Sequence, residues 1–507
     1  MKIIKNIGSK FLVVLIGVGL FSCSLSDFGD LNVDPNNTTV PQTNNLLTQA
    51  LRNLPGTRNA STGSLYAQYI ANSQYTSADN YQTITFSYNG WYNGPLADLQ
   101  FIININSDPE TAPGAEINGS NANQIAVAQI LQSYFYLHIT DRWGDIPYTE
   151  ALQAFNAESQ ILTPAFDRQD AIYNDIFTTL ANAVNSISTT DPVVGDILFD
   201  GDMNRWKQFA NSIRATAALR IRKADPAKGA AEFNAAISAD QGVVTSNAEN
   251  IVYQHLSEAN NQNAWYASFI TREDWTVAAP LLDYMQIDTY TNPHPKADGS
   301  ISTGAMDVQA DPRIAVYANP AADNGEYVGM PYGLTEATAG DINNIYISLL
   351  GDAMRQQDSP EYLYHAAQMH FAAAEALRLG WITSFNGMSS VQELYEAAIG
   401  ASMDQWGVDI GNYLSNSEVA YDAARAQEQI ATQKWIAMYL MGYESWFEWR
   451  ATTSASNPKG YPALDAAANA QNPGGNNGIP VRQGYPTQER DLNGDNYDAA
   501  LSAQGFA

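Results

Sequence analysis

Arg168-Gln-Asp-Ala-Ile172-Tyr-Asn-Asp-Ile176-Phe177-Thr-Thr-Leu180-Ala-Asn-Ala-Val184-Asn-Ser-Ile187-Ser188 is the stretch that decides the fold class. Ile172, Ile176, Leu180 and Val184 recur every four residues, with Phe177 and Ile187 beside them. That period puts one apolar stripe along a helix. Asp167 stands before the run and Asp170 three residues later, the pattern of an N-terminal cap. Working outward, the same reading predicts helices over 124–140, 204–223, 361–380, 391–406 and 418–442. Ala366, Ala367, Ala372, Ala373, Ala374 and Ala376 are small enough to let helices approach closely. The starts at 168 and 204, and at 361 and 391, lie near the roughly 34-residue period of tetratricopeptide helix pairs. No clean sequence repeat accompanies it. The expected fold is all-α, one large domain of such pairs with long irregular loop insertions. Those insertions are 71–123, rich in Asn, Tyr, Ser and Gly, then 240–350, carrying Pro, Gly and Asp, and 450–507, rich in Pro, Gly and Asn. Strand-like pieces are expected at 250–254 and 313–317. Loops of this length are usually functional.

The 507 residues carry 25 Lys and Arg against 53 Asp and Glu, a net charge of −28. So acidic a chain excludes nucleic acid as a partner, because phosphate binding needs clustered cations. Its single cysteine is Cys23, which leaves no disulfide framework and no cysteine metal site. Lys2, Lys5 and Lys10 precede an apolar run from Phe11 to Phe21. Eleven helical residues reach about 16 Å, well short of the roughly 30 Å hydrocarbon core. The run therefore reads as a signal peptide over 1–22. Ser22-Cys23 at its end reads as a lipoprotein cleavage site, with Cys23 acylated and 23–43 serving as lipidated terminus and tether. The folded body is expected over 44–507.

Enzyme signatures are absent: no G-x-S-x-G, no P-loop, no H-E-x-x-H and no dinucleotide fingerprint. Glycosidase carboxylate pairs have no fixed spacing, and no such constellation stands out. His365 and His370 are five apart and point to different sides of a helix, so they read as structural. Asp491-Leu-Asn-Gly-Asp495 begins like a calcium loop, but Asn496 and Ser502 occupy the positions that need Gly and Glu. It reads as a polar turn. No metal and no cofactor is expected.

Aromatic side chains remain. Tyr75 and Tyr81 precede Tyr88-Asn-Gly-Trp91-Tyr92-Asn-Gly, and Trp265, Tyr266 and Trp275 form a second group. Aromatic faces stack on sugar rings while Asn, Asp and Arg bind hydroxyls. These seven are the candidate ligand-binding residues; the alternative is that they pin long loops to the helices.

Several strings resemble the SusD/RagB family of outer-membrane nutrient-binding lipoproteins of Bacteroidetes, and most closely its SusD-like subgroup. They are Asp27-Phe-Gly-Asp-Leu-Asn-Val-Asp-Pro-Asn-Asn37, Asp141-Arg-Trp-Gly-Asp-Ile-Pro-Tyr148, and Arg205-Trp-Lys-Gln-Phe-Ala-Asn-Ser-Ile-Arg214 leading to Ala218-Leu-Arg220. Arg272-Glu-Asp274, Asp311-Pro-Arg313, Ala374-Glu-Ala376, Gln433-Lys-Trp435, Gly442-Tyr-Glu444 and Trp449-Arg450 follow. Ile479-Pro-Val-Arg482, Tyr485-Pro486, Glu489, Asn493 and Asn496-Tyr497 close the series. The resemblance implies a tetratricopeptide-like helical body. It implies a lipid anchor in the outer membrane, display at the cell surface, and a SusC-like TonB-dependent transporter as partner. It implies capture of glycans, or of peptides as in the RagB type, without catalysis. Gln368 stands where the family usually has Glu, and Ala451 where a second Arg often follows. The first acid after Cys23 is Asp27, a thin version of the family's surface-export segment, so a periplasm-facing position stays open. Arg142, Asp145, Arg205, Arg214 and Arg220 read as ties between helices.

Overall fold

The computed structural model describes residues 41–154, 160–286, 310–474 and 477–505. The chain divides into two units, 1–42 and 43–507, and every element described belongs to the second. Cys23, the signal segment and most of the tether lie outside the described residues.

The principal helices are α1 (Thr43–Leu51), α2 (Ala97–Ser107), α3 (Asn121–Trp143), α4 (Gln169–Ser186), α5 (Met203–Arg220), α6 (Pro226–Ser238), α7 (Ala366–Arg378), α8 (Val391–Gln405), α9 (Ala426–Ala437) and α10 (Tyr443–Thr452). They pack as neighbours in sequence: α3 with α4, α5 with α6, and α7 with α8. This is the expected all-α, tetratricopeptide-like arrangement. Helix α4 buries the stripe read from its sequence, Ile172, Ile176, Phe177, Leu180 and Val184. The alanines of α7 that were read as contact residues are all buried. Local chemistry sets the boundaries. Asp202 and Asp225 cap α5 and α6, and Pro226 opens α6 where no amide is needed. Ser390 and Glu393 form a reciprocal capping box on α8. Helix α3 stops at Gly144, whose φ of 83° suits glycine.

Four expectations change. Asp167 does not cap α4; its carboxylate accepts from Tyr148 N and Thr149 N. Asp145 does the work from outside the helix, accepting from Gln169 N at 2.9 Å. The predicted helix over 361–380 begins later, because Glu361–Tyr364 is a strand paired with Ile251–Tyr253. Alternation and aromatics win there over helix propensity. The predicted helix over 418–442 is shorter, Ala426–Ala437, and α10 follows it as a separate helix. Segment 313–317 is a helical turn, Ile314–Tyr317, rather than a strand. Asp311 accepts the amide of Arg313 and Pro312 fixes φ, which starts the turn.

The few strands are short: β1 (Ile70–Asn72), β2 (Ile146–Pro147), β3 (Phe166–Asp167), β4 (Ile251–Tyr253), β5 (Trp275–Val277) and β6 (Glu361–Tyr364). They form three two-stranded antiparallel pairs, β1 with β5, β2 with β3, and β4 with β6. Apolar side chains gather into two large clusters. One fills the helical frame around α1 to α8. The other lies under the loops and includes Tyr66, Tyr69, Tyr81, Trp265, Val277, Tyr317, Trp435, Trp446 and Trp449.

The arginines read as ties behave as such. Arg220 bonds both Asp141 and Glu444, and Arg58 reaches Glu444 at 2.7 Å, all with side chains at most 7% exposed. Arg142 bonds Gln483 and Tyr443, Arg214 pairs with Glu232, and Arg205 holds the carbonyls of Glu249 and Asn250. Burial opposes the charge of Glu444, yet Arg220 and Arg58 hold its pKa down to about 2. His365 caps α7 by accepting from Gln368 N, and His370 bonds the Ala366 carbonyl. Burial drives His365 down to about 3, so it is neutral. The 491–496 segment is a corner between two short helices, where Asn493 and Asn496 bond the carbonyls of Pro164 and Thr163.

Candidate functional site

The site is built on the pairing of β1 with β5. Asn72 lies opposite Trp275, Ala71 opposite Thr276, and Ile70 opposite Val277. The chain then turns sharply. Asn72 Oδ1 accepts the amides of Gln74 at 2.9 Å and Tyr75 at 2.7 Å. This side-chain mimic of a backbone turn is what Asn supplies at such a position. Ser73 N donates to the Asp274 carbonyl at 2.9 Å, so the two segments stay together past the strand ends. The turn therefore delivers Tyr75 beside residues 272–275.

Tyr75 is 53% exposed, the most open of the seven candidate aromatics. The Arg272 guanidinium lies over its ring, 4.8 Å from the centroid, and Arg272 also pairs with Asp274 at 2.7 Å. Trp275 is half-buried and meets Trp265 edge to face, with centroids 6.1 Å apart at 88°. Trp265 begins a short helix, Ala264–Phe269, that Asn263 caps. The last residue of that helix, Phe269, carries a second guanidinium, Arg355, 4.6 Å above its ring. Arg355 is paired to Asp352, which also receives Asn319. The corner thus offers ring faces, two guanidinium groups, carboxylates and amides. Ring faces recover apolar contact with a flat ligand, and the polar groups bind its hydroxyls.

A buried carboxyl stands behind this corner. Asp79 Oδ2 accepts the amide of Asn72 at 2.9 Å, while Oδ1 is buried with no hydrogen-bond partner. Burial pushes Asp79 up to about 7, with the Asn72 amide acting against that rise. Asp79 therefore closes the 72–79 segment that carries Tyr75.

The structure divides the seven candidates. It brings Trp265 and Trp275 into contact, with Tyr75 against Arg272 on the turn past β1 and Tyr266 half-buried on the Trp265 helix. Trp265 itself is 3% exposed and supports Trp275 from behind. Tyr81 is a correction: it is fully buried, with its ring edge on Tyr66, and faces no ligand. Trp91 and Tyr92 pack against the other core. Trp91 lies against Phe135 and His138, and Tyr92 bonds the Pro147 carbonyl at 2.6 Å. These two pin the 71–96 loop to α3. Sequence reasoning missed Phe269, Arg355 and Asp79, and met Arg272 only within a motif. Phe269 and Arg355 meet from distant segments, and no local pattern marks either one.

Residues 35–486 match the family profile SusD-like_2, described as starch-binding associating with outer membrane. The chain belongs to the SusD-like family. Solved structures share its fold at low identity. A chitin-binding protein superposes with a TM-score of 0.72 at 22% identity, covering 92% of this chain and 97% of that one. A chitin-binding SusD homolog from Flavobacterium johnsoniae gives 0.68 at 22%, covering 91% and 96%. A SusD homolog from Parabacteroides distasonis gives 0.70 at 24%, covering 92% and 95%. No curated protein matches the sequence. SusD-like homologues are binding proteins rather than enzymes, and the family associates with the outer membrane. Among the described residues, no helix is long and apolar enough to cross a membrane.

Proposed function

We propose that this SusD-like protein captures oligosaccharides on the Tyr75–Arg272–Trp275 corner and passes them to a SusC-like TonB-dependent transporter, without catalysis. The observation that carries the reading is the exposed ring of Tyr75, fixed beside Trp275 and stacked by Arg272. A sugar ring gains apolar contact from such a surface, and its hydroxyls meet Arg272, Asp274 and neighbouring amides. In this reading the body hangs from an acylated Cys23 at the outer membrane, facing outward, after removal of 1–22. A shallow polar-and-aromatic corner suits a receptor that must release what it binds.

Two neighbours in structure carry chitin-binding names, and the family description names starch. Oligomers of N-acetylglucosamine and of glucose are therefore the first ligands to try. Calorimetric titration of the full chain in detergent should show saturable binding of one glycan class. Trp275→Ala and Tyr75→Ala should each weaken it. Saturable binding of peptides alone would move the protein to the RagB type of cargo. Glycan binding untouched by either substitution would remove the corner from the account.

A further inference from the structure

A cavity of about 570 Å³ opens between the N-terminal ends of α4 and α6 and the face of α10. Its size falls within the range of small-molecule sites. Phe177 and Phe447 pack behind it, 1% and 2% exposed, and Ala451 contributes only a methyl group. Four cations reach it, Arg168, Arg220, Lys228 and Arg450, in a chain with few cations to place.

The carboxylates nearby are already engaged. Asp141 takes Arg220 and the Tyr173 hydroxyl. Asp170 takes Arg168 at 3.0 Å. Asp225 accepts the Lys228 amide as the cap of α6. Two cations are left over. Arg450 bonds the carbonyls of Asp141 and Val481 through Nη1, and its Nε and Nη2 make no hydrogen bond among the described residues. Its guanidinium lies over Trp446 and Phe447, which fixes its plane. Lys228 stands 5.8 Å from the Phe177 centroid, with no hydrogen bond or ion pair from its ammonium among the described residues. Burial pulls the Arg450 pKa below the ordinary guanidinium value, with Asp141 opposing. A partly desolvated cation with no carboxylate bonded to it is costly unless something anionic reaches it.

We infer that this cavity is a second ligand site, taking a small molecule with one carboxylate that Arg450 and Lys228 receive together. The guanidinium fork matches a carboxylate, and Lys228 adds a point charge. The chemistry fits an acidic monosaccharide or the C-terminal end of a short peptide. It rests on residues separate from the Tyr75 corner.

The test is calorimetric titration of the full chain with glucuronate, N-acetylglycine and glucose at constant ionic strength. At least one carboxylate should bind saturably, and glucose at least tenfold more weakly. Binding of glucuronate alone assigns an acidic sugar, and binding of N-acetylglycine alone assigns a peptide terminus. Lys228→Met should lower the affinity about tenfold, the size expected for one lost charge-assisted contact. Ala451→Trp, which fills the cavity, should abolish binding; if it does not fold, Lys228→Met decides. Equal behaviour of glucose and both carboxylates, or unchanged affinity in Lys228→Met, overturns the inference.

Discussion

Two regions of this molecule use the same types of residue for opposite ends. Around Glu444, arginines and aromatic rings are locked inside the helical frame. Around Tyr75, an arginine and aromatic rings meet at the surface. In the first region Arg58, Arg220, Asp141 and Glu444 use their charges on one another. In the second, Arg272 has one carboxylate, is half-exposed, and shares its face with an open ring. The difference lies in solvent, not in composition. A buried guanidinium needs every nearby acceptor, so it serves the fold. An exposed one stacked on a ring has binding capacity to spare.

The contrast is broken most forcefully at Glu444. Glu444→Ala leaves Arg58 and Arg220 buried with one carboxylate fewer. We expect a loss of about 3–5 kcal/mol, the cost of opening a buried pair. Urea denaturation of the full chain measures it. A loss below about 1 kcal/mol would place this network with surface pairs.

The next largest effect is a dependence on pH. Asp79 has a folded-state pKa of about 7, raised by burial above the 3.8 of a free side chain. The sign follows from the shift. Protonated Asp79 buries no charge at low pH. As pH rises from about 4 to about 7 the buried charge destabilises the fold progressively, and the penalty is constant above that. Glu361, pushed up to about 8 by burial, acts in the same direction over a similar window. Asp79→Asn removes one of these penalties. The variant should gain stability relative to the parent as pH rises from 4 to 8, by up to a few kcal/mol. Parallel stability curves for the two proteins would show that Asp79 does not titrate in this window.

The helical frame was legible in the sequence because its signal is local. One stripe of four aliphatics marked α4, and clustered alanines marked α7. The cap on α4 was not legible, because Asp145 acts from another segment while Asp167, next in sequence, is turned toward Tyr148 and Thr149. The candidate site was half legible. Aromatics on polar loops singled out Tyr75 and Trp275, but equally Tyr81, Trp91 and Tyr92. Tyr75 alone among these is exposed, while Trp275, Trp91 and Tyr92 are all half-buried and differ in the core they pack against, which packing from the whole chain decides. Tyr81 sits against Tyr66, and Trp91 against Phe135, through contacts that no sequence spacing encodes.

Smaller effects sharpen the surface half of the comparison. Tyr75→Ala and Trp275→Ala should each cost about 1–2 kcal/mol of glycan affinity, near the value of one stacked ring. Tyr75→Ala should leave stability within about 0.5 kcal/mol, as an exposed substitution does. Arg272→Met should cost about 0.5–1 kcal/mol of affinity, the worth of an exposed guanidinium stack. Calorimetry with the preferred oligosaccharide separates these steps.

In the proposed function, glycan binds at the exposed Tyr75 ring and its half-buried neighbour Trp275, not on the rings locked around Glu444. Affinity electrophoresis of the full chain in gels cast with starch or with soluble chitin tests it most directly. The parent protein should be retarded by at least one polysaccharide, and the double variant Tyr75→Ala/Trp275→Ala should run unretarded while still melting cooperatively. Retardation of the double variant equal to that of the parent would contradict the claim and place glycan recognition elsewhere on the molecule.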